Sequence, residues 1–295
     1  MRHSHSRTFQ GRDLEKLKTE SETESNQTSK VKVMSLSLLR WLIPLGVILL
    51  GWQCTALFLA SDNVPSVVQV FSSLQSHLVN GDMLYHLMVT LYRVALSFCI
   101  AMFFGVMIGI VMGAFPRLNE AGDSLLVIAL NVPALVTIIL CYVWFGLVEA
   151  AAITAVAINK IPTVIVMVRE GARVVDRDLL QVAQVFKVSP FRCFFKVYLP
   201  QLYPFIMASA RSGLSLIWKV VLVVELLGRS DGVGFQLGTF FHFFDIASIL
   251  AYTLAFAAII LVIEGLLMRP LDRYIARGNY NDSGAGDNGR YKGGL

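Results

Sequence analysis

Six long apolar runs dominate this 295-residue sequence and limit the folds open to it. Each run is close to or above the ~20 residues that a helix needs to cross a bilayer, and the fourth is the shortest. Because backbone groups in lipid must find hydrogen-bond partners within the chain, we expect each run to be a helix. The sequence therefore predicts an all-α, polytopic membrane protein with six transmembrane helices. The runs cover residues 39–60, 88–115, 123–146, 150–168, 203–227 and 246–268.

Charged residues are scarce and unevenly placed. They make up 15% of the chain, whereas a soluble domain carries ~25%. Most of the 25 lysine and arginine residues fall in the termini and in residues 169–202, while the predicted loops on the other side carry only Arg229. The positive-inside rule places the basic segments in the cytoplasm. We expect a disordered cytoplasmic tail over residues 1–38, a membrane domain over 39–270 that includes the 169–202 loop, and a cytoplasmic tail over 271–295. The net charge of +5 therefore indicates membrane lipid rather than nucleic acid as a partner.

Residues 176–200 form a mixed polar and apolar stretch between two of the apolar runs. Asp176 is placed to cap a helix through its carboxylate. Leu179, Ala183 and Phe186 follow on one face at helical spacing. This pattern predicts a short amphipathic helix, with a small residue between two larger ones on its apolar stripe.

A second helix start follows at Ser189-Pro190, where a cap residue precedes a proline in the first turn. Leu199-Pro200 is predicted to end this helix. The stretch is then two short helices with a break near Lys187–Ser189, and neither is long enough to cross a bilayer.

The spacing in this stretch resembles the cytoplasmic coupling loop of ABC importer permeases. That family's pattern is Glu-Ala-Ala, three residues, Gly, nine residues, then Ile, any residue and Leu-Pro. The corresponding residues here are Gln181-Val182-Ala183, Lys187 and Val197-Tyr198-Leu199-Pro200. Two departures concern coupling. Gln181 replaces a charged Glu, and Lys187 replaces a Gly that usually supplies a positive-φ turn, so we expect the break to be differently shaped.

Four further pieces resemble permeases for nitrate, taurine and aliphatic sulfonates, so the resemblance covers roughly residues 40–270. They are Val64-Pro65-Ser66, Thr90 through Phe98, Trp144-Phe145-Gly146 and Gly232-Val233-Gly234. The resemblance implies a type I-like permease fold in a bacterial inner membrane. It also implies three protein partners: a dimer of ABC ATPase subunits, a second permease copy, expected as a homodimer, and an extracytoplasmic solute-binding protein. The residues it assigns to ATPase coupling are Asp176, Leu179, Gln181, Ala183, Phe186, Lys187, Ser189, Leu199 and Pro200.

Polar side chains on the fifth apolar run are candidates for a substrate path. About one third of the helix circumference carries Arg211, Ser212, Ser215 and Lys219. Ionisable residues in membrane helices usually face the bundle or a cavity, and these cations suit an oxyanion. Lys160 and Asn131 are further candidates, each near a proline that is expected to break or kink its helix.

The sequence also allows other roles for these cations. Arg211 could extend its charge to the membrane surface, and Lys219 could pair with Glu225 or with a carboxylate of a partner. An ion-coupled secondary transporter using Lys160, Lys219 and Glu225 is an alternative, although it would not account for residues 176–200. A permease-like scaffold with weakened coupling is another, given Gln181 and Lys187.

Enzyme and metal motifs are absent from the sequence. It contains no Walker-type phosphate loop, no HExxH and no Gly-x-Ser-x-Gly. Its four cysteines lack the spacing of a metal site. We therefore assign no catalytic residue, metal or cofactor, and expect ATP hydrolysis to belong to a separate chain.

The predicted topology can be tested at Cys193, which should lie in the cytoplasm. In intact cells expressing a variant without Cys54, Cys99 and Cys141, an impermeant thiol reagent should leave Cys193 unlabelled until the membrane is opened. Labelling before the membrane is opened would reverse the predicted orientation.

Overall fold

A computed structural model of the chain describes residues 43–44, 46–59 and 64–268, and these residues form helices and turns without a strand. Helices α1 to α11 are joined by short connections, and five-residue π-helical segments precede α9 and follow α11. The helices are α1 Gly46–Leu59, α2 Val67–Val79, α3 Met83–Ala114, α4 Pro116–Asn131, α5 Ala134–Phe145, α6 Glu149–Arg173, α7 Arg177–Val185, α8 Pro190–Cys193, α9 Leu199–Gly228, α10 Val233–His242 and α11 Ile246–Ile263. The π-helical segments are Phe194–Tyr198 and Glu264–Met268.

The chain divides into two compact units, residues 1–69 and 70–295. In the first, the middle of α1 is held to residues at and just before the start of α2. Trp52 Nε1 donates a hydrogen bond to the Pro65 carbonyl at 3.0 Å, and Gln53 Oε1 accepts one from the Val67 amide at 3.0 Å. The predicted tails, residues 1–38 and 271–295, lie outside the described residues.

Three helices in the described residues are long and apolar enough to cross a membrane: Met83–Ala114, Glu149–Arg173 and Ile246–Leu266. A fourth span is possible if α4 and α5, which meet at an angle of 95°, count as one bent pair. The all-α membrane architecture is confirmed, while the number of six spans stays a prediction.

Prolines act differently in the third and fourth apolar runs. The kink predicted at Asn131 and Pro133 is present, because α4 ends at Asn131 and Pro133 precedes α5. The break predicted beside Lys160 is wrong. Helix α6 runs without interruption through Pro162, which costs one backbone hydrogen bond that packing against neighbouring helices offsets.

Glycines on α3 bring α6 into close contact in the second unit. Gly105 lies against Val164, Gly109 against Val168 and Gly113 against Ala172. The spacing of four residues keeps the three glycines on one face, and the absence of side chains lets the two backbones approach. A Cβ at Gly109 would lie 2.9 Å from Val168 Cβ and 3.0 Å from the Ile165 carbonyl oxygen, closer than packed atoms allow.

A buried cluster of charges joins α3 to the ends of α6 and α9. Arg93, only 1% exposed, donates to Glu149 at 2.7 Å and to Glu225 at 2.9 Å, and it pairs with Asp231 in the loop after α9. Arg229 also pairs with Glu149, at 2.9 Å.

Burial alone would raise the pKa of Asp231, but the hydrogen bond from Arg93 and the charges of both arginines hold that pKa below its ordinary value. Asp231 therefore stabilises the fold above the unfolded pKa, and this contribution is lost as pH falls through its folded pKa.

The turn between α9 and α10 is built around Glu225, whose side chain is fully buried. Its Oε2 accepts hydrogen bonds from Thr90 at 3.0 Å and from the Gly234 amide at 2.8 Å. Gly232 has φ 99°, a left-handed conformation that favours glycine. A Cβ at Gly232 would also collide with the Glu225 carboxylate, so this position requires glycine for both reasons.

We expect Gly109→Leu to separate α3 from α6 and to reduce the amount of folded protein in the membrane several-fold. The physical reason is that the added side chain has no space between the two backbones. The measurement is the yield of monodisperse protein extracted from membranes, compared with Gly51→Leu. A Cβ at Gly51 would meet no described atom within 4 Å. Equal yields for the two variants would contradict close α3–α6 packing.

Candidate functional site

A groove of about 620 Å³ lies along α9, between it and α11 and the π-helical segment that follows α11. Helix α9 supplies its polar wall with Arg211, Ser212, Ser215 and Lys219. The opposite wall is mainly apolar, but it ends at the carboxylate of Glu264. The structure thus brings together the four side chains that the sequence predicted on one helix face.

The charges that line the groove leave it positive. Arg211 Nη2 lies 4.0 Å from Glu264 Oε1 across the groove, so this cation faces a carboxylate. Lys219 is exposed about two turns further along α9 than Arg211. It has no ion pair or hydrogen bond with another described residue. The predicted pairing of Lys219 with Glu225 is wrong, because Glu225 is buried and bound by Arg93.

The two remaining candidates for the substrate path lie outside this groove. Asn131 ends α4, where its side-chain amide donates to the Val127 carbonyl at 2.7 Å. Lys160 is buried on α6 and packs against Gly213 of α9. Gly213 is buried, whereas Ser212 and Ser215 are exposed on the groove side of α9.

The coupling segment, residues 176–200, begins as the sequence predicted. Asp176 is the N-cap of α7, and its carboxylate accepts from the Asp178 amide at 2.8 Å and the Leu179 amide at 3.4 Å. The Asp176 amide in turn donates to Gln201 Oε1 at 2.9 Å, which ties the start of α7 to α9.

The break after α7 keeps a left-handed turn although a lysine occupies it. Lys187 has φ 53°. The Val188 amide donates to the Ala183 carbonyl and the Lys187 amide to the Gln184 carbonyl, both at 2.9 Å. These two bonds form the Schellman motif that normally ends a helix with glycine. The expectation of a differently shaped break is therefore wrong, because the paired carbonyls hold Lys187 in a strained conformation.

The second part of the segment differs more from the prediction. Helix α8 begins after Ser189, with the Cys193 amide donating to the Ser189 carbonyl at 2.9 Å. The predicted end at Leu199-Pro200 is wrong, since the chain stays helical through the π-helical segment and into α9. A proline is tolerated here because its missing N–H falls where the bonding pattern changes from π to α.

Ala183 occupies a different surface from its predicted neighbours. It is 7% exposed and turned towards its own chain, whereas Phe186 is 77% exposed and Leu179 is also exposed. The predicted outward stripe is therefore wrong at Ala183. The exposed apolar face of the segment, which we call the outer face, consists of Leu179, Val182, Val185, Phe186 and Phe191. Gln181 is exposed as well.

Sequence reasoning missed the partners of Arg93. An arginine within an apolar run signals that a counter-charge is required. It does not say which carboxylate supplies it, and Glu149 and Asp231 lie 56 and 138 residues away. Proximity of these residues is a property of the folded bundle.

Comparison with known proteins settles the family. Residues 101–278 match the family described as the binding-protein-dependent transport system inner membrane component. The chain belongs to this family. It is an ABC importer permease, a multi-pass inner membrane protein, and such permease subunits are not themselves enzymes.

Two relatives and one solved structure illustrate the likeness. The chain is 31% identical over 216 residues to the putative aliphatic sulfonates transport permease protein SsuC of Bacillus subtilis, covering 72% of this chain and 78% of that protein. It is 27% identical over 255 residues to the nitrate import permease protein NrtB of Synechocystis sp., covering 83% and 89%. An inward-facing structure of the MetNI methionine ABC transporter has a chain with TM-score 0.53 and 15% identity, covering 66% of this permease and 97% of that chain, so this likeness concerns the fold alone.

The strained turn at Lys187 gives a test of the coupling segment. We expect Lys187→Gly to stabilise the permease by about 1 kcal/mol, because glycine adopts positive φ without a Cβ penalty. The measurement is the apparent Tm of the purified permease in detergent. Lys196→Gly is the matched control and should lower the Tm, because that lysine is in a helical segment. A lower Tm for Lys187→Gly would contradict the left-handed turn.

Proposed function

We propose that this permease passes a small oxyanion, such as a sulfonate or nitrate, across the inner membrane, with ATP hydrolysis supplied by a separate ATPase subunit. The observation that carries this proposal is the positive groove on α9. Two cations, Arg211 and Lys219, line it, and only one carboxylate, Glu264, does so. Two hydroxyls, on Ser212 and Ser215, add hydrogen-bond donors for anionic oxygens.

The names of the relatives support the same chemistry. They describe permeases for aliphatic sulfonates, nitrate, taurine and bicarbonate. Each of these solutes carries an oxyanion, and taurine carries a cation as well. A lysine point charge attracts an anion without fixing its geometry, so this groove would suit oxyanions of different shapes.

The coupling segment would receive the ATPase through its outer face. Leu179, Val182 and Phe186 expose apolar surface on α7, and burying such surface favours association. Gln181 would lie at the rim of the contact, and Ala183 would let α7 pack closely on its own chain. The left-handed turn at Lys187 removes one of the two reasons for a scaffold without coupling.

Helix continuity offers a path from the ATPase to the groove. From Pro190 the chain is helical through the π-helical segment to Gly228. The groove residues and the end of the coupling segment therefore belong to one continuous helical stretch. A push on the outer face would reach Arg211 and Lys219 through Phe191, which lies on this continuous helix, and through the hydrogen bond between Asp176 and Gln201. This movement would open the path alternately to each side of the membrane, with both termini and the coupling segment cytoplasmic.

The assembly we propose contains two copies of this permease around a central path, two ATPases and an extracytoplasmic solute-binding protein. The groove lies on the surface of the single chain, and a second copy facing it would enclose the path. The binding protein would contribute to solute choice before the solute reaches the groove.

We expect Lys219→Met to lower ATP-driven uptake of an oxyanion at least about tenfold, because a charge-assisted contact contributes roughly 1.5–3 kcal/mol. The measurement is uptake of labelled methanesulfonate, taurine and nitrate by proteoliposomes that hold the permease, its ATPase and its binding protein. Lys219→Arg is the control, since it keeps the charge. Assembly with the ATPase should remain unchanged, because Lys219 lies outside the coupling segment.

Three results would count against the proposal. Uptake of a neutral solute in preference to all three anions by the wild-type assembly would overturn the anion specificity. Full uptake by Lys219→Met would remove Lys219 from the path. Copurification of the permease without any ATPase would contradict coupling through residues 176–200.

A further inference from the structure

A second set of polar groups lies on the face of α9 that is turned away from the groove. Lys160 on α6 is 4% exposed, and its Nζ has no hydrogen-bond partner among the described residues. The Ser209 hydroxyl on α9 is fully buried and likewise has no partner there. Two unsatisfied buried donors at one helix–helix interface call for an explanation, because such groups normally find partners.

The local packing shows why Lys160 reaches this interface. A Cβ at Gly213 would lie 2.8 Å from Lys160 Cε and 3.6 Å from its Nζ, so the lysine uses the space that a side chain would occupy. Ser209 precedes Gly213 by one helical turn and therefore shares its face of α9. The ammonium and the hydroxyl thus lie on the same side of one interface.

Among the described residues, Lys160 forms no ion pair with a carboxylate. Glu225 is bound by Arg93, and Glu149 by Arg93 and Arg229. Glu264 faces the groove with Arg211. Each of these carboxylates already has a cation. Lys160 lies near the middle of the 25-residue α6, where an ammonium without a counter-ion is most unfavourable in a membrane protein.

We propose that Lys160 and Ser209 form a second, occluded site for a small oxyanion between α6 and α9, which the transported anion occupies after it leaves the open groove. The inference rests on the proposed function and deepens it. In the conformation described here the two helices pack closely around Lys160, and the site opens when α9 moves relative to α6. The anion then supplies the missing counter-charge and accepts hydrogen bonds from Nζ and Oγ.

The position of Ser212 links the two sites. Its hydroxyl lines the groove and lies 3.7 Å from Met167 Sδ of α6. Ser212 therefore contacts both the groove and α6. In the proposed sequence, an anion would leave Lys219, pass Ser212 and reach Lys160 when α9 moves relative to α6.

The test is anion binding to the full permease in lipid nanodiscs, with methanesulfonate as the probe. Binding is measured as the rise in apparent Tm with concentration, at an ionic strength held constant with gluconate. Uncharged methanesulfonamide is the control ligand and should have no effect. We expect Lys160→Met to raise the Kd at least about tenfold, Ser209→Ala to raise it less, and Lys160→Arg to keep most of the affinity.

The same variants separate binding from a structural role. Without anion, Lys160→Met should be at least as stable as wild type, because it removes a buried charge that lacks a partner. An anion response in Lys160→Met equal to that of wild type would overturn the occluded site and leave the groove proposal standing. A wild-type permease with no response to methanesulfonate, taurine or nitrate would instead overturn the anion specificity on which the inference rests.

Discussion

The buried guanidinium of Arg93 sets the arrangement of one end of the helix bundle. A cation in a membrane interior is stable only when charges and hydrogen bonds surround it. Arg93 obtains three carboxylates from three elements: Glu149 at the start of α6, Glu225 near the end of α9, and Asp231 in the following loop. Since each carboxylate is also held by other donors, the cluster fixes these helix ends relative to α3. The left-handed glycine turn before α10 follows from the space that Glu225 requires.

Helix α9 connects this fixed end to the coupling segment. Glu225 anchors its far end, while its near end continues without a break into the π-helical segment and α8. The groove residues lie between these two points. In the proposed mechanism, α9 is held at Glu225 and pushed at its other end, so its position would change most near Arg211, which faces Glu264. π-helical segments often occur at functional sites, and here one lies at the junction of α8 and α9.

The structure supports one of the functions inferred from the sequence and argues against another. Coupling through residues 176–200 gains support from the Schellman turn at Lys187 and from the exposed apolar residues around Phe186. A secondary transporter that uses Lys219 and Glu225 as a pair loses its geometric basis, because Arg93 binds Glu225. Family membership gives the same answer by an independent route. In the proposed mechanism, one solute would successively occupy the two faces of α9, the open cationic face and the face closed around Lys160.

The sequence by itself determined the features that depend on local periodicity and spacing: a helical membrane protein, the cap at Asp176, the kink at Pro133 and the polar face of Arg211, Ser215 and Lys219. These follow from bilayer thickness and from 3.6 residues per turn. Only the tertiary structure decided that α6 continues past Pro162, that Ala183 is buried, and which carboxylates bind Arg93. Such features depend on atoms far apart in the chain, because neighbouring helices supply the packing, the missing hydrogen bonds and the counter-charges that the local sequence lacks.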